Sequence, residues 1–149
     1  MPKSVTRVLV VEDNPDFGDL MRVLLARYKI EAVVMTSGEK ALTCLSKEIF
    51  DLILLDIALP GMNGLEVCHQ IKATPRLKHI PVIFVSGQTS EAYKREAKRL
   101  GAVDYIQKPF ELLPFLKCIM GHMNLPALPE KDLQALQPRP LDKAPAPGR

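Results

Sequence analysis

Short apolar runs alternate along the chain with stretches whose apolar residues recur at steps of three and four positions. The runs predict buried strands, and the three-and-four spacing predicts amphipathic helices. Residues 52–55 (LILL) are the clearest run, because four apolar residues between Asp51 and Asp56 are typical of a strand buried on both faces of a parallel sheet. The predicted strands are 7–11, 32–35, 52–55, 81–85 and 102–106.

Capping residues separate these strands from the predicted helices. Asn14 is placed to cap a first helix that has Pro15 at its first position, and Ser37 is placed to cap a second. Either Thr89 or Ser90 can cap the fourth helix. The predicted helices cover about 15–27, the stretch after Ser37 through Leu45, about 64–73, the stretch that ends at Leu100 before Gly101, and a last segment from Leu112 to Ile119 after Glu111.

Five strands alternating with five helices predict an α/β fold, in which right-handed crossovers join the strands of a doubly wound parallel sheet. A chain of 149 residues favours one domain, which we place at residues 1–124. Six prolines fall within residues 126–149, and apolar residues are sparse there. We therefore expect residues 125–149 to form a Pro-rich, flexible tail.

Composition narrows the class of protein without naming a function. Apolar residues make up 47% and charged residues 25% of the chain, which is ordinary for a soluble globular protein. The net charge of +3 is too small to indicate nucleic-acid binding. No apolar run approaches the roughly 20 residues that span a bilayer, and no signal peptide is visible. Three widely spaced cysteines indicate reduced thiols, so we expect a cytoplasmic protein.

Polar residues of several kinds stand at the carboxyl ends of four predicted strands. Glu12 and Asp13 follow the first, Asp56 the third, Ser86 the fourth and Lys108 the fifth. In a parallel sheet these ends share one edge, where ligands bind. By itself, Asp56 is as consistent with a capping or loop carboxylate as with a nucleophile or metal ligand.

Taken together, these groups suit magnesium-dependent phosphoryl transfer. Mg²⁺ prefers hard oxygen ligands, and Asp13, Asp56 and the backbone carbonyl of Ala58 can supply them. The lysine and the serine can contact phosphoryl oxygens. Clustered carboxylates would repel one another, so the arrangement also needs a cation or Lys108 among them.

Four stretches of the chain resemble the receiver domain of two-component response regulators, the CheY-like family. The resemblance covers residues 5 to about 122 and implies the flavodoxin-like fold, a five-stranded sheet in the order 2-1-3-4-5. The matching stretches are residues 10–14 (VVEDN), 56–64 (DIALPGMNG), 85–87 (VSG) and 104–110 (DYIQKPF).

The resemblance also implies a role for each site residue. Asp56 is expected to accept a phosphoryl group from the phosphohistidine of a sensor histidine kinase or a histidine phosphotransfer protein. Asp13 is expected to bind Mg²⁺ directly and Glu12 through water. Ser86 and Lys108 are expected to contact the phosphoryl oxygens.

Signalling is expected to follow from a switch at Tyr105, the aromatic residue of the fifth strand. The resemblance implies that a downstream protein docks on the face formed by helix 4, strand 5 and helix 5, and it allows a phosphorylation-dependent homodimer. No direct nucleic-acid or membrane contact and no dedicated enzymatic activity are expected. Alternatively, the chain is the receiver part of a longer regulator or hybrid kinase, whose output domain follows the Pro-rich segment.

Two other functions on the same fold fit less well. An aspartyl-phosphate phosphatase usually needs a second carboxylate two residues beyond the nucleophile, where this chain has Ala58. A flavin site needs a phosphate-binding loop after the first strand, where Glu12 and Asp13 would repel phosphate.

Overall fold

A computed structural model describes residues 5–125 of the chain. One parallel sheet contains five strands in the order β2-β1-β3-β4-β5, which confirms the predicted fold. The strands are β1 (Thr6–Val11), β2 (Ile30–Met35), β3 (Leu52–Leu55), β4 (Val82–Ser86) and β5 (Asp104–Gln107). The helices are α1 (Pro15–Ala26), α2 (Gly38–Leu45), α3 (Gly64–Ala73), α4 (Glu91–Arg99) and α5 (Leu112–His122).

The chain divides into two compact units. The first ends at Pro109 and contains the whole sheet together with α1 to α4. The second begins at Phe110 and contains α5, whose first turn is preceded by Glu111 as the N-cap residue. Within this second unit Phe110 stacks on Phe115, with ring centroids 4.5 Å apart.

The central strands of the sheet are the most deeply buried part of the first unit. All residues of β3 and β4 are buried, as are the last four of β1, which accounts for their uninterrupted apolar character. Side chains such as Leu9, Ile53 and Phe84 form a core with Ala41 of α2 and Val67 of α3. Each large apolar side chain buried in this way contributes about 1.5–3 kcal/mol to folding.

The predicted helix starts are found where the capping residues placed them. The Asn14 side chain accepts hydrogen bonds at the start of α1, and Ser37 does so at α2. Of the two residues considered for α4, Ser90 is the N-cap, and its hydroxyl accepts from the backbone N–H of Ala92. Each cap fixes the residue at which its helix begins, and so limits the length of the loop that follows the preceding strand.

Several strand boundaries differ from the predicted ones by one or two residues, and the starts of β2 and β5 differ most. β2 begins at Ile30 rather than at residue 32, because Ile30 already pairs with Thr6 of β1. β5 begins at Asp104 rather than at residue 102. The backbone N–H of Ala102 instead donates to the carbonyl of Ala97 at 3.0 Å, so this residue still belongs to the turn that ends α4.

Three further expectations concern the cysteines, membrane-spanning helices and the Pro-rich tail. Cys44 and Cys68 are buried and Cys118 is half-buried, and none of the three forms a disulfide within residues 5–125. None of the helices within residues 5–125 has the length and apolar character that crossing a membrane requires. The expected tail, apart from Leu125, lies outside the described residues, and the division at residue 124 stays a prediction.

Candidate functional site

Asp56 lies at the carboxyl end of β3, where the chain leaves the sheet. Its backbone N–H donates to the carbonyl of Val11 at 3.1 Å, which fixes the residue beside the end of β1. The side chain is nearly buried, with the residue 7% exposed. One carboxylate oxygen, Oδ1, accepts a hydrogen bond from the backbone N–H of Ala58 at 3.3 Å. Asp56 is therefore held rigidly at the sheet edge while its other oxygen, Oδ2, faces the remaining charged groups.

The loop after Asp56 folds tightly back on itself at Gly64. The backbone N–H of Gly64 donates to the carbonyl of Ile57 at 2.9 Å. A β-carbon at position 64 would lie 2.0 Å from the carbonyl oxygen of Asp56, so only glycine fits this approach. Asn63 then caps α3 in a reciprocal pair with Glu66. We did not predict this capping box, although the N-x-x-E spacing is visible in the sequence.

Two further carboxylates come from the end of β1. Glu12 is 3% exposed, so it is buried, whereas Asp13 is exposed to solvent. Glu12 Oε2 accepts a hydrogen bond from the backbone N–H of Asn14 at 3.1 Å. Carboxylate oxygens of Glu12, Asp13 and Asp56 all lie within 4.8 Å of one another. The fold thus brings together the three acids that the sequence placed at strand ends.

Lys108 supplies the positive charge at this edge. Its backbone N–H donates to the carbonyl of Ser86 at 2.8 Å, which ties the residue to the end of β4. The Lys108–Pro109 peptide bond is cis. The ammonium group donates a short hydrogen bond to Glu12 Oε1 and another, at 3.3 Å, to Asp56 Oδ2. One lysine is therefore shared between two carboxylates that lie on different strands.

Burial and neighbouring charge act in opposite directions on Glu12. Desolvation is the largest effect and raises the pKa of Glu12 above its ordinary value, while the hydrogen bond from Lys108 lowers it. The charge of Asp56 adds to the upward shift. Three carboxylates gather around one ammonium, so a cation placed among their oxygens would be stabilised.

Ser86 is the last residue of β4, and Tyr105 is the second residue of the neighbouring β5. Ser86 is fully buried, and its hydroxyl oxygen accepts from the backbone N–H of Gln88 at 3.2 Å. The half-buried Tyr105 donates its hydroxyl to the backbone carbonyl of Gln88 at 2.8 Å. Burial raises the pKa of Tyr105, so this hydroxyl remains a donor at neutral pH. Both residues are thereby linked to the loop between β4 and α4.

One aromatic contact at the site was not predicted. The ring of Phe17, in the first turn of α1, lies over the Lys108 ammonium with 4.5 Å between the nitrogen and the ring centroid. Helical spacing identifies Phe17 only as an apolar position of α1. No local pattern indicates that the first turn of α1 contacts a lysine about 90 residues later in the sequence.

Comparison with known proteins agrees with this arrangement. The sequence profile of the response regulator receiver domain matches residues 8–119, which is more than half of the chain. The chain belongs to the response regulator receiver family. This assignment confirms the resemblance read from the strand-end motifs and places the receiver domain in two-component signal transduction.

Among curated relatives, this chain is 42% identical over 131 residues to a probable cyclic di-GMP phosphodiesterase of Vibrio cholerae. That alignment covers 87% of this chain and 29% of the relative. It is 38% identical over 119 residues to the sensory transduction protein RegX3 of Mycobacterium tuberculosis, covering 78% of this chain and 51% of the relative. The chain therefore spans about half or less of the length of these relatives.

Solved structures show the same fold. The phosphorylated cyanobacterial phytochrome response regulator RcpA is 31% identical, with a TM-score of 0.70, and the match covers 79% of this chain and 91% of that one. The receiver domain of sensor histidine kinase PA1611 from Pseudomonas aeruginosa PAO1 has a TM-score of 0.74 over 81% of this chain and 99% of that one. Its identity of 21% supports the fold alone; that structure has a magnesium ion coordinated in its active site cleft.

Proposed function

We propose that this receiver domain accepts a phosphoryl group on Asp56 from the phosphohistidine of a sensor histidine kinase or a histidine phosphotransfer protein. The observation that carries the proposal is the position of the Asp56 carboxylate. It stands at the end of β3, within 4.8 Å of oxygens of two further acids and 3.3 Å from the Lys108 ammonium. The phosphorylated state of the relative RcpA supports the same chemistry.

In the proposed step, a carboxylate oxygen of Asp56 attacks the phosphorus of phosphohistidine. A new O–P bond forms and the N–P bond breaks, so that the electron pair returns to the imidazole nitrogen. The product is a mixed anhydride between Asp56 and phosphate, and no oxidant or reductant is consumed. Hydrogen bonding of Oδ1 to the Ala58 N–H leaves Oδ2, beside Lys108, as the attacking oxygen. The domain thus acts as a phosphoryl acceptor rather than as a dedicated enzyme. The acyl phosphate on Asp56 is then lost by hydrolysis.

The acidic cluster fits a magnesium ion. Its oxygens are hard ligands, they lie close enough to share one cation, and the exposed Asp13 leaves room for water ligands. We propose that Asp13 and Asp56 are direct ligands, together with the carbonyl of Ala58, and that Glu12 acts through water. When bound, Mg²⁺ would neutralise charge on the transferring phosphoryl group.

Lys108 and Ser86 are the proposed partners of the phosphoryl oxygens. The ammonium is already beside the attacking oxygen, so it can follow the charge from carboxylate to phosphoryl group. The Ser86 hydroxyl is fully buried at the next strand end and now accepts a backbone hydrogen bond. In the proposed switch it turns to the phosphoryl group, and Tyr105 changes its contact with the β4–α4 loop in response.

Within the first unit, a groove between α4 and β5 is the proposed docking surface for a downstream protein. It has a volume of about 320 Å³ and is bordered by Lys94 and Lys98 on one side and by Val103 and Tyr105 on the other. Lys94 also lies 5.9 Å from the centre of the Tyr105 ring, so a change at Tyr105 alters this surface directly. The output of the whole protein, and a phosphorylation-dependent homodimer, stay predictions.

The test is chemical labelling of the purified chain with acetyl phosphate. With Mg²⁺ present, we expect the mass of one phosphoryl group to be added and the label to map to Asp56. Chelating the metal should prevent labelling. Labelling at a different residue, or labelling that persists after Asp56→Asn, would contradict the proposal.

A further inference from the structure

Phe17 forms one wall around the charged end of Lys108. The ammonium has two carboxylate partners, Glu12 and Asp56, and the Phe17 ring lies 4.5 Å away over the same nitrogen. The side chain of Lys108 is 23% exposed, so most of it is shielded from water. A ring face carries negative electrostatic potential, and it attracts an ammonium most strongly where water is excluded.

The position of Phe17 is fixed by the start of α1. Asn14 Oδ1 accepts hydrogen bonds from the backbone N–H groups of Asp16 at 2.9 Å and Phe17 at 3.3 Å. The next residue, Gly18, is buried against β2, where a β-carbon would lie 2.9 Å from Val34 Cγ1. The cap and the close approach of Gly18 together hold the first helical turn, and with it the Phe17 ring, against the sheet edge.

We propose that Phe17 is a positioning residue that holds the Lys108 ammonium beside Asp56 through the face of its ring. This inference rests on the proposed phosphoryl acceptance at Asp56. The lysine has a long side chain with several rotatable bonds, and fixing its charged end costs conformational entropy. Two carboxylates attract the ammonium, and the ring that lies over the same nitrogen limits its movement. The charge is therefore in place before a phosphoryl group arrives.

A double-mutant cycle on stability tests the contact itself. Phe17→Leu keeps an apolar side chain of similar size but removes the ring face, and Lys108→Met removes the charge. Urea unfolding of the wild type, both single variants and the double variant should show a coupling factor of about two to five in the folding equilibrium constant. A coupling factor of one would overturn the proposal.

The role in phosphoryl acceptance is tested by the labelling rate with acetyl phosphate and Mg²⁺. We expect Phe17→Leu to lower the maximal rate by about three- to tenfold. Phe17→Tyr, which keeps the ring face, should stay within about twofold of wild type. Val23→Ala, at a side chain 67% exposed on the same helix, is the matched control and should not change the rate.

A spectroscopic measurement completes the design. The ring should shift the NMR signals of the Lys108 ε-methylene protons in the wild type and in Phe17→Tyr, and this shift should vanish in Phe17→Leu. Equal labelling rates in wild type and Phe17→Leu would overturn the positioning role even if coupling is measured. A wild-type chain that takes no label at all would instead contradict the proposed function. In that case the double-mutant cycle and the NMR shift would still test the contact between Phe17 and Lys108.

Discussion

The two ends of the sheet hold similar charged groups at different depths of burial. At the amino-terminal end of β1, Arg7 donates from its guanidinium to Glu31 at 2.9 Å and to Glu48 at 2.6 Å. The same guanidinium lies 4.7 Å from the centre of the Phe50 ring. The backbone N–H of Arg7 donates to Asp51 at 2.8 Å. One residue thus joins β1, β2 and the segment before β3 through directed hydrogen bonds.

At the carboxyl end of β1, by contrast, two of the acids are buried. Three acids, Glu12, Asp13 and Asp56, gather their oxygens within 4.8 Å, and one lysine is shared between two of them. Burial raises the pKa of Glu12 here, which marks a carboxylate whose charged form is under-compensated. By contrast, the hydrogen bonds that Arg7 donates to Glu48 and Glu31 raise the pKa of Arg7, so its charged form is favoured.

The difference shows how a single strand can serve both stability and chemistry. The two glutamates paired with the Arg7 side chain are partly exposed, so water already solvates their charge and an added ion would gain little there. The site end retains buried negative charge, which costs stability but favours a bound cation, and that cation can in turn neutralise a phosphoryl group. Substitutions at the two ends should therefore separate folding from function.

The largest expected effect is that of Asp56→Asn. The amide is nearly isosteric, but it cannot form the acyl phosphate, so labelling by acetyl phosphate should be lost completely. Because one charge leaves a crowded cluster, the free energy of unfolding in the absence of metal should rise slightly. Urea denaturation and mass measurement on the same preparation check both parts. A clear loss of stability would show that Asp56 is needed for its contact with Lys108.

Asp13→Ala should come next in size. Removing a direct ligand should weaken Mg²⁺ binding by at least about 100-fold, since even outer partners of a ligand are worth about 10- to 100-fold. NMR titration with Mg²⁺ measures this, with Asp16→Ala as the control at an exposed acid of α1. Unchanged magnesium shifts in the signals of Asp56 and Ala58 would contradict the proposed ligand set.

Arg7→Met should destabilise the fold and leave labelling of Asp56 unchanged. The lost hydrogen bonds and ion pairs involve partly exposed carboxylates, so we expect a cost of about 1–2 kcal/mol. Arg7→Lys keeps the charge without the planar fork and should cost less. Urea unfolding gives both values. A slower labelling rate in the folded Arg7→Met protein would show that the two ends are coupled.

The smallest expected effect concerns loss of the phosphoryl group. Hydrolysis needs a water in line with phosphorus, and a polar side chain near Asp56 can orient it. Ala58 is exposed but cannot hydrogen-bond through its side chain, whereas Gln88 can. We expect slow decay in the wild type, up to about tenfold faster decay in Ala58→Asn, or about 1.4 kcal/mol of barrier, and slower decay in Gln88→Ala. Decay of wild type within seconds, or equal rates in all three, would count against this account.

Most of the fold was predictable because its signals are local. The four apolar residues of β3 are buried on both faces, as their pattern indicated, and Asn14 and Ser37 cap the helices that follow them. Strand bounds were less predictable. β2 extends to Ile30 through pairing with β1, and such pairing depends on a neighbour distant in sequence.

The sequence by itself determined which residues reach the site edge, since Asp56 and Lys108 each follow a strand and parallel strands end together. Only the tertiary structure decided how they meet. The Lys108 ammonium is shared with Glu12 and covered by Phe17 because β1, β5 and the first turn of α1 converge there. Gly64 likewise must be glycine only because the loop returns to the carbonyl of Asp56. The type of each side chain and the spacing of apolar residues can be read from the sequence. Contacts between distant segments depend on the packing that brings those segments together.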